Sequence, residues 1–230
     1  MPENSRELIL KVLQEKAVLK LEVCERTEAG FNALKKILSE VQDELKSSIH
    51  KVISKNTPIG YLERGEFEAE FNIIDDSIFF IRHTNVFTFE SNHEIWKLSY
   101  VQKDHNLAFC GTINIYNFLS DSFKYNRTSD LGYLIARIFI NKENHFFVEG
   151  KRQLGFLYND FSNDVFDTGA IRKVIESALL YSLDFDPYTP PYEQLQQLTV
   201  QDILTYTMES RISTGKRLGF KFEADKGDTF

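Results

Sequence analysis

The sequence predicts an α+β fold: a long N-terminal helix, an antiparallel sheet of about five to seven strands, and two C-terminal helices. Three observations predict it. Apolar residues recur at spacings of three and four through roughly the first fifty positions, as on one face of a helix. Short alternating runs separated by tight polar turns follow. Towards the C-terminus the longer period returns and is closed by a proline cluster.

The helix comes first. Leu10, Leu13, Ala17, Lys20, Cys24, Thr27, Phe31, Leu34, Leu38, Val41, Leu45, Ser48 and Val52 form an unbroken seam, the rhythm that lets one helix bury a stripe against another. From Phe31 onward the seam is mostly large and apolar, whereas Lys20, Cys24 and Thr27 pack less well. Gly30 lies beside it and costs a helix about 1 kcal/mol relative to Ala. One helix from Glu7 to Ser54 fits the pattern and would run about 70 Å at 1.5 Å per residue. The alternative is a hairpin turning at Thr27-Glu28-Ala29-Gly30. The register does not slip across Gly30 and no proline interrupts it, which favours one helix. A second stripe (Ile9, Val12, Leu19, Val23, Ala33, Ile37) widens the apolar face. Phe31, Leu34, Leu38, Val41, Leu45 and Val52 are the candidate interface for a coiled coil with a second copy or another protein. An amphipathic helix lying on its own sheet reads the same stripe.

Lys55-Asn56-Thr57-Pro58-Ile59-Gly60 reads as a linker, dividing an N-terminal helical segment, 1–55, from a sheet domain, 56–230. Phe67, Ala69, Phe71 and Ile73 alternate with polar residues in a half-buried strand. Asp75-Asp76 turns the chain into Ile78–Ile81. Val86, Phe87 and Phe89 continue that strand or start another. Trp96, Leu98 and Tyr100 suggest one face of a further strand, and Phe109, Ile113 and Ile115 one face of the next. Tight turns imply antiparallel pairing, because parallel strands need a long crossover. A polar connection over 120–130 then leads to a hairpin, Leu131–Ile140 and His145–Lys151. A three-residue loop, Lys142-Glu143-Asn144, places Asn144 where a left-handed residue is needed. In that register Leu134, Ala136, Ile138 and Ile140 share an apolar face with Phe146 and Val148. Arg137 falls opposite Glu149, a cross-strand ion pair.

Residues 160–193 hold seven acidic and two basic residues. Ile171, Val174, Ile175, Ala178 and Leu179 mark a helix capped by Asp167 or Thr168 and stopped before Pro187. A second helix is expected from Thr199 to Arg211, and a last strand from Gly215 to Phe222.

Net charge is −7 over 230 residues. It divides as +1 on 1–55 and −8 on 56–230, so a general nucleic-acid surface is not expected. Two cysteines without metal or C-x-x-C spacing suit a reducing compartment. The N-terminus lacks an apolar signal-peptide core and no run approaches a membrane span, so a cytoplasmic protein is expected.

Candidate chemistry is sparse. Lys151 and Arg152, and again Lys216 and Arg217, follow glycines and are candidate anion contacts, although neither step is a P-loop. His83, His93, His105 and His145 show no ligand spacing. Asp160, Ser162, Asp164 and Thr168 lack the glycine and the final glutamate of a calcium loop. No nucleophile–base set can be placed, and no cofactor or metal is expected. The leading expectation is a cytoplasmic interaction or assembly module that oligomerises, as a homodimer, through its N-terminal helix. A small-ligand sensor with a pocket between sheet and C-terminal helices is the alternative, and an enzyme comes third.

Overall fold

The protein is described by a computed structural model covering residues 5–49, 51–52, 57–155 and 157–184, with isolated positions from 186 to 203. A single helix, α1 (Ser5–Ile49), runs without a break through Gly30. The sheet follows: β1 (Ile59–Glu63), β2 (Glu68–Ile73) and β3 (Asp76–Arg82). A long excursion carrying a short helix, α2 (Ser99–Lys103), leads to β4 (Cys110–Leu119) and a turn of helix, α3 (Ser120–Lys124). The hairpin β5 (Tyr133–Asn141) and β6 (Phe146–Gly150) and the helix α4 (Thr168–Leu183) complete the described order. The six strands pair in sequence order, β1 to β6, all antiparallel.

Alternation in the strands explains the main layer. Ala69, Phe71, Ile78, Phe80, Ile113, Ile115, Ile138, Ile140 and Phe146 turn to one face, where they meet α1 and α4 in a single core. Phe31, Leu34, Leu38 and Val41 are buried in that core. The strongest part of the predicted interface is therefore covered by the chain's own sheet, Leu45 packs at its margin, and Val52 is 82% exposed beyond the helix. Helix and sheet share one core across the predicted 55/56 division. Arg172 of α4 ties the helices together through Glu44 at 2.9 Å and Glu40 at 3.3 Å.

Two glycines set how closely α1 approaches. A Cβ on Gly111 of β4 would overlap Thr27, and one on Gly30 would lie 2.8 Å from Phe166 Cδ1. The helix-weakening glycine in the seam is thus a packing requirement, the Phe166 ring occupying the space of its missing side chain.

The hairpin has the register that its turn and alternation imply. Ile140 pairs with Phe146, Ile138 with Val148 and Arg137 with Glu149, and Asn144 is left-handed at φ 64°. One position differs. The β4–β5 register slips after Ile115, so Ala136 faces Ile115 and Leu134 faces Tyr116. The extra residue, Ile135, turns into the core in place of Leu134. A β-bulge has this effect, because one added residue reverses the faces beyond it.

The opposite face carries the largest departure from the alternating pattern. Trp96, Leu98 and Tyr100 do not form a strand. Residues Glu94–Lys97 make a 3₁₀ turn, α2 follows, and His105–Ala108 make a second 3₁₀ turn capped by Asp104. Ile95, Val101 and Leu107 lie on Phe139 and, from beyond the hairpin, Phe161 in a smaller core. Phe87 makes one bridge to Cys110 and continues no strand.

Each sheet edge makes hydrogen bonds outside the sheet. Tyr61 N of β1 donates to Gln42 Oε1 of α1 at 2.6 Å. On β6, Phe146 N donates to Asp164 O and Val148 N to Tyr158 O. Asp167 caps α4 by accepting from Ala170 N at 2.8 Å. Of the second predicted C-terminal helix, Val200, Gln201 and Ile203 are helical. Its remainder and the 215–222 strand lie outside the described residues.

Candidate functional site

The candidate surface is α1 itself. Leu19 and Val23 are its first core-facing positions that are buried, and every residue from Ser5 to Val18 is exposed. The docked half fixes the helical register, so the free half continues it without a separate nucleation cost. That arm of fourteen residues is rich in large apolar side chains: Leu8, Ile9, Leu10, Val12, Leu13 and Val18 all stand in solvent, Leu13 58% exposed. Leu21, just inside, is 61% exposed and points away from the sheet. Successive helical residues lie about 100° apart, so Leu8, Ile9 and Leu10 cannot share one face. A helix apolar on several sides calls for neighbours on more than one side.

A furrow flanks the docked half. One stretch, of ≈ 570 Å³, lies between Glu22, Glu25 and Arg26 of α1 and Lys142 and Glu143 of the hairpin turn. The next, of ≈ 500 Å³, runs from Ala29 past Ala33 and Lys36 to Glu40, with Thr168, Gly169 and Arg172 as its far wall. Ala29 lines both. Arg172 holds the Glu44 carboxyl below its usual range through a direct hydrogen bond.

The region beneath α4 is filled by Ile171, Val174, Ile175, Ala178 and Leu179 packed on the sheet, where the sensor alternative requires a pocket.

The hairpin turn is built around Asn141, which is fully buried. Its Oδ1 accepts from Glu143 N and His145 N, each at 3.0 Å, and its Nδ2 donates to Tyr100 Oη at 3.0 Å. Tyr100 donates to Glu143 Oε2 at 2.6 Å and stacks on His145. Burial, with the Glu143 carboxylate as a second cause, pushes the Tyr100 phenol above its usual range. Lys142 Nζ donates to Asp104 Oδ2 at 2.6 Å and holds that carboxyl below its usual range. These contacts fasten the 83–109 excursion to the sheet.

The other sequence candidates are dispersed. Lys151 is exposed just after β6, and Arg152 opens a 3₁₀ turn, its side chain outside the described residues. Lys216 and Arg217 also lie outside them. Arg137 and Glu149 form an ion pair at 3.3 Å on the outer sheet face, both side chains 43% exposed. His93 Nε2 stands 4.0 Å from the same glutamate. Among the described residues, no three His, Cys, Asp or Glu side chains converge as a metal set. Burial raises the Cys110 thiol well above its usual range, leaving it un-ionised and unreactive. No described helix is long and apolar enough to cross a membrane.

Sequence reasoning found the seam but placed the free surface at its wrong end. The signal was the consecutive Leu8-Ile9-Leu10, which one docking face cannot bury. Comparison with family models, with curated proteins and with solved structures finds no match to this chain.

Proposed function

We propose that the protein is an interaction module whose N-terminal arm docks on another protein surface. The observation that carries this reading is the change of state along one helix, from Leu34 and Leu38 fully buried to Leu10 and Leu13 in solvent. Scattered exposed apolar residues are ordinary on a protein surface, but a contiguous run marks an interaction site. The filled space beneath α4 adds support, because it leaves the arm as the conspicuous apolar feature of the described surface. The unpaired Cys24 and Cys110 fit a module working in the reducing cytoplasm.

Photo-crosslinking tests the reading. A photoreactive residue at position 13 of the full chain, irradiated in cells, is expected to give a discrete protein adduct that Leu10→Glu abolishes. An adduct no stronger than that from position 66, on the exposed β1–β2 turn, overturns it.

A further inference from the structure

We propose that the arm receives an acidic amphipathic helix of another protein, one that sets two carboxylates a turn apart against Lys16 and Lys20. This rests on the docking-arm reading and gives its partner a chemistry. The buried positions Val23, Thr27, Gly30 and Leu34 follow one another at spacings of four, three and four along α1. The unbroken helix carries the same spacing backwards to Lys20, Lys16, Leu13 and Ile9, all exposed. The face that the sheet buries thus runs on into the arm, where it is half apolar and half basic.

The two lysines find no acid on their own helix. Side chains pair along a helix at three or four residues. Those neighbours are Val12, Leu13, Leu19 and Lys20 for Lys16, and Lys16, Ala17, Val23 and Cys24 for Lys20. Lys11, by contrast, has Glu7 and Glu15 four residues to either side. At about 100° per residue, Glu7, Glu15 and Glu22 lie with Lys11 on the far side of the helix. Neither Lys16 nor Lys20 makes an ion pair among the described residues.

A partner that covers Ile9 and Leu13 draws both ammonium groups out of water, which is costly unless carboxylates meet them. A helix fits the face. The backbone groups of α1 are bonded within the helix, so no strand can add to it, and positions spaced by four and three form a ridge that seats in the groove of a second helix. A lipid surface fits less well. A helix lying in a membrane interface keeps its cations at the flanks of the apolar face, level with the headgroups. Lys16 and Lys20 lie in the middle instead, between Val12 and Leu19 on one side and Leu10 and Ala17 on the other.

Fluorescence anisotropy of a labelled peptide of about three leucine–glutamate heptads, titrated with the full chain at low salt, tests the proposal. Saturable binding is expected, although the chain's own net charge of −7 opposes it. Lys16→Gln and Lys20→Gln should each weaken binding about threefold to fivefold. Lys11→Gln, the same charge change on the far side, should leave it unchanged. All three positions are exposed, and an unchanged melting temperature separates loss of binding from loss of fold. No binding, or binding that all three variants weaken alike, overturns the proposal. So does flotation with phosphatidylserine vesicles that Lys16→Gln and Lys20→Gln abolish, which assigns the face to a lipid surface. Crosslinking in cells from position 13, on this same face, separates the proposal from the reading beneath it. An adduct whose captured segment carries Asp or Glu three or four residues apart, and which both lysine variants diminish, supports both. An adduct indifferent to the two lysine variants sinks the acidic partner and keeps the docking arm, whereas no adduct at all sinks both.

Discussion

Thr27 of α1 rests directly on the bare Cα of Gly111 in β4, leaving no space for a side chain at position 111. Its hydroxyl is satisfied within the helix, donating to Val23 O at 2.7 Å. Position 27 is therefore a buried contact point as well as a weak seam position. Gly111→Ala should lift the helix locally and cost about 1–3 kcal/mol, the usual range for overpacking a core. Thr27→Ala in the same chain should recover part of the loss, since it removes two of the three overlapping atoms. Urea unfolding midpoints of the single and double variants measure both effects.

The two halves of α1 should respond oppositely to substitution. Leu38 is fully buried, and Leu38→Ala should cost about 2–5 kcal/mol by loss of apolar contact and the cavity left behind. Leu13→Ala, in solvent, should change monomer stability by no more than about 0.5 kcal/mol. Thermal melts at a concentration where the chain is monomeric make the comparison. An equal loss at both positions would mean that the arm is docked on its own domain.

Tyr61 supplies a prediction of gain. Its hydroxyl is buried with no hydrogen-bond partner among the described residues, and burial, with nearby Glu63 as the lesser cause, raises the phenol to about 12. Tyr61→Phe should be neutral or stabilising, by up to about 1 kcal/mol, because it removes an unsatisfied polar group and keeps the ring. The pH dependence follows from the sign. A phenol whose pKa is raised on folding contributes its full stability below the unfolded value near 10, and loses it as pH rises from there to about 12. Denaturant melts from pH 9 upward should lose less stability in the variant than in the parent chain.

Acid should loosen the excursion over the outer face. Asp104 is held below the usual carboxylate range, chiefly by its hydrogen bond from Lys142. A carboxyl depressed on folding contributes fully above its unfolded value and loses that contribution as pH falls through the folded one. The chain's one tryptophan, Trp96, lies within the excursion and donates Nε1 to Glu90 O at 2.8 Å. Its emission should shift at low pH before the far-UV signal of the sheet is lost. Asp104→Asn should show the shifted emission already at neutral pH.

The pair of Arg137 and Glu149 should prove energetically slight. Both are half-exposed, so Glu149→Ala should cost no more than about 1 kcal/mol by chemical denaturation.

Much of the fold was legible because local and long-range requirements agreed. In the β5–β6 hairpin, alternation, turn length and a residue tolerant of left-handed geometry all pointed to one register, and Asn144 and the Arg137–Glu149 pairing follow. The slip at Ile135 left no local mark, since Leu134 and Ile135 are equally apolar and only β4 decides between them. Trp96, Leu98 and Tyr100 mimic strand alternation and all pack at the margin of the smaller core, but its two buried residues here, Ile95 and Val101, are six apart, two turns of three. That is the rhythm of the tight turns actually formed. For the candidate site, periodicity identified a helix with something to bury but not what buries it. Phe31 to Val41 look like an oligomer seam because a sheet and a second helix make the same demand on spacing. The surface over which α1 passes is set by Gly111, Gly30 and Phe166, far apart in the chain.

The contacts at the sheet edges bear on how the protein behaves when crowded. Unpaired edge strands act as templates on which further strands add without limit. Here Gln42 engages the Tyr61 amide on one rim, and the Tyr158–Asp164 segment takes the Phe146 and Val148 amides on the other. Any sticking driven by the arm therefore saturates at the stoichiometry its docking geometry permits. Growth of fibrillar deposits would first require peeling a rim open, a thermally activated step. A concentrated preparation should then form finite, salt-sensitive particles that redissolve on dilution, and show a long lag before any cross-β signal.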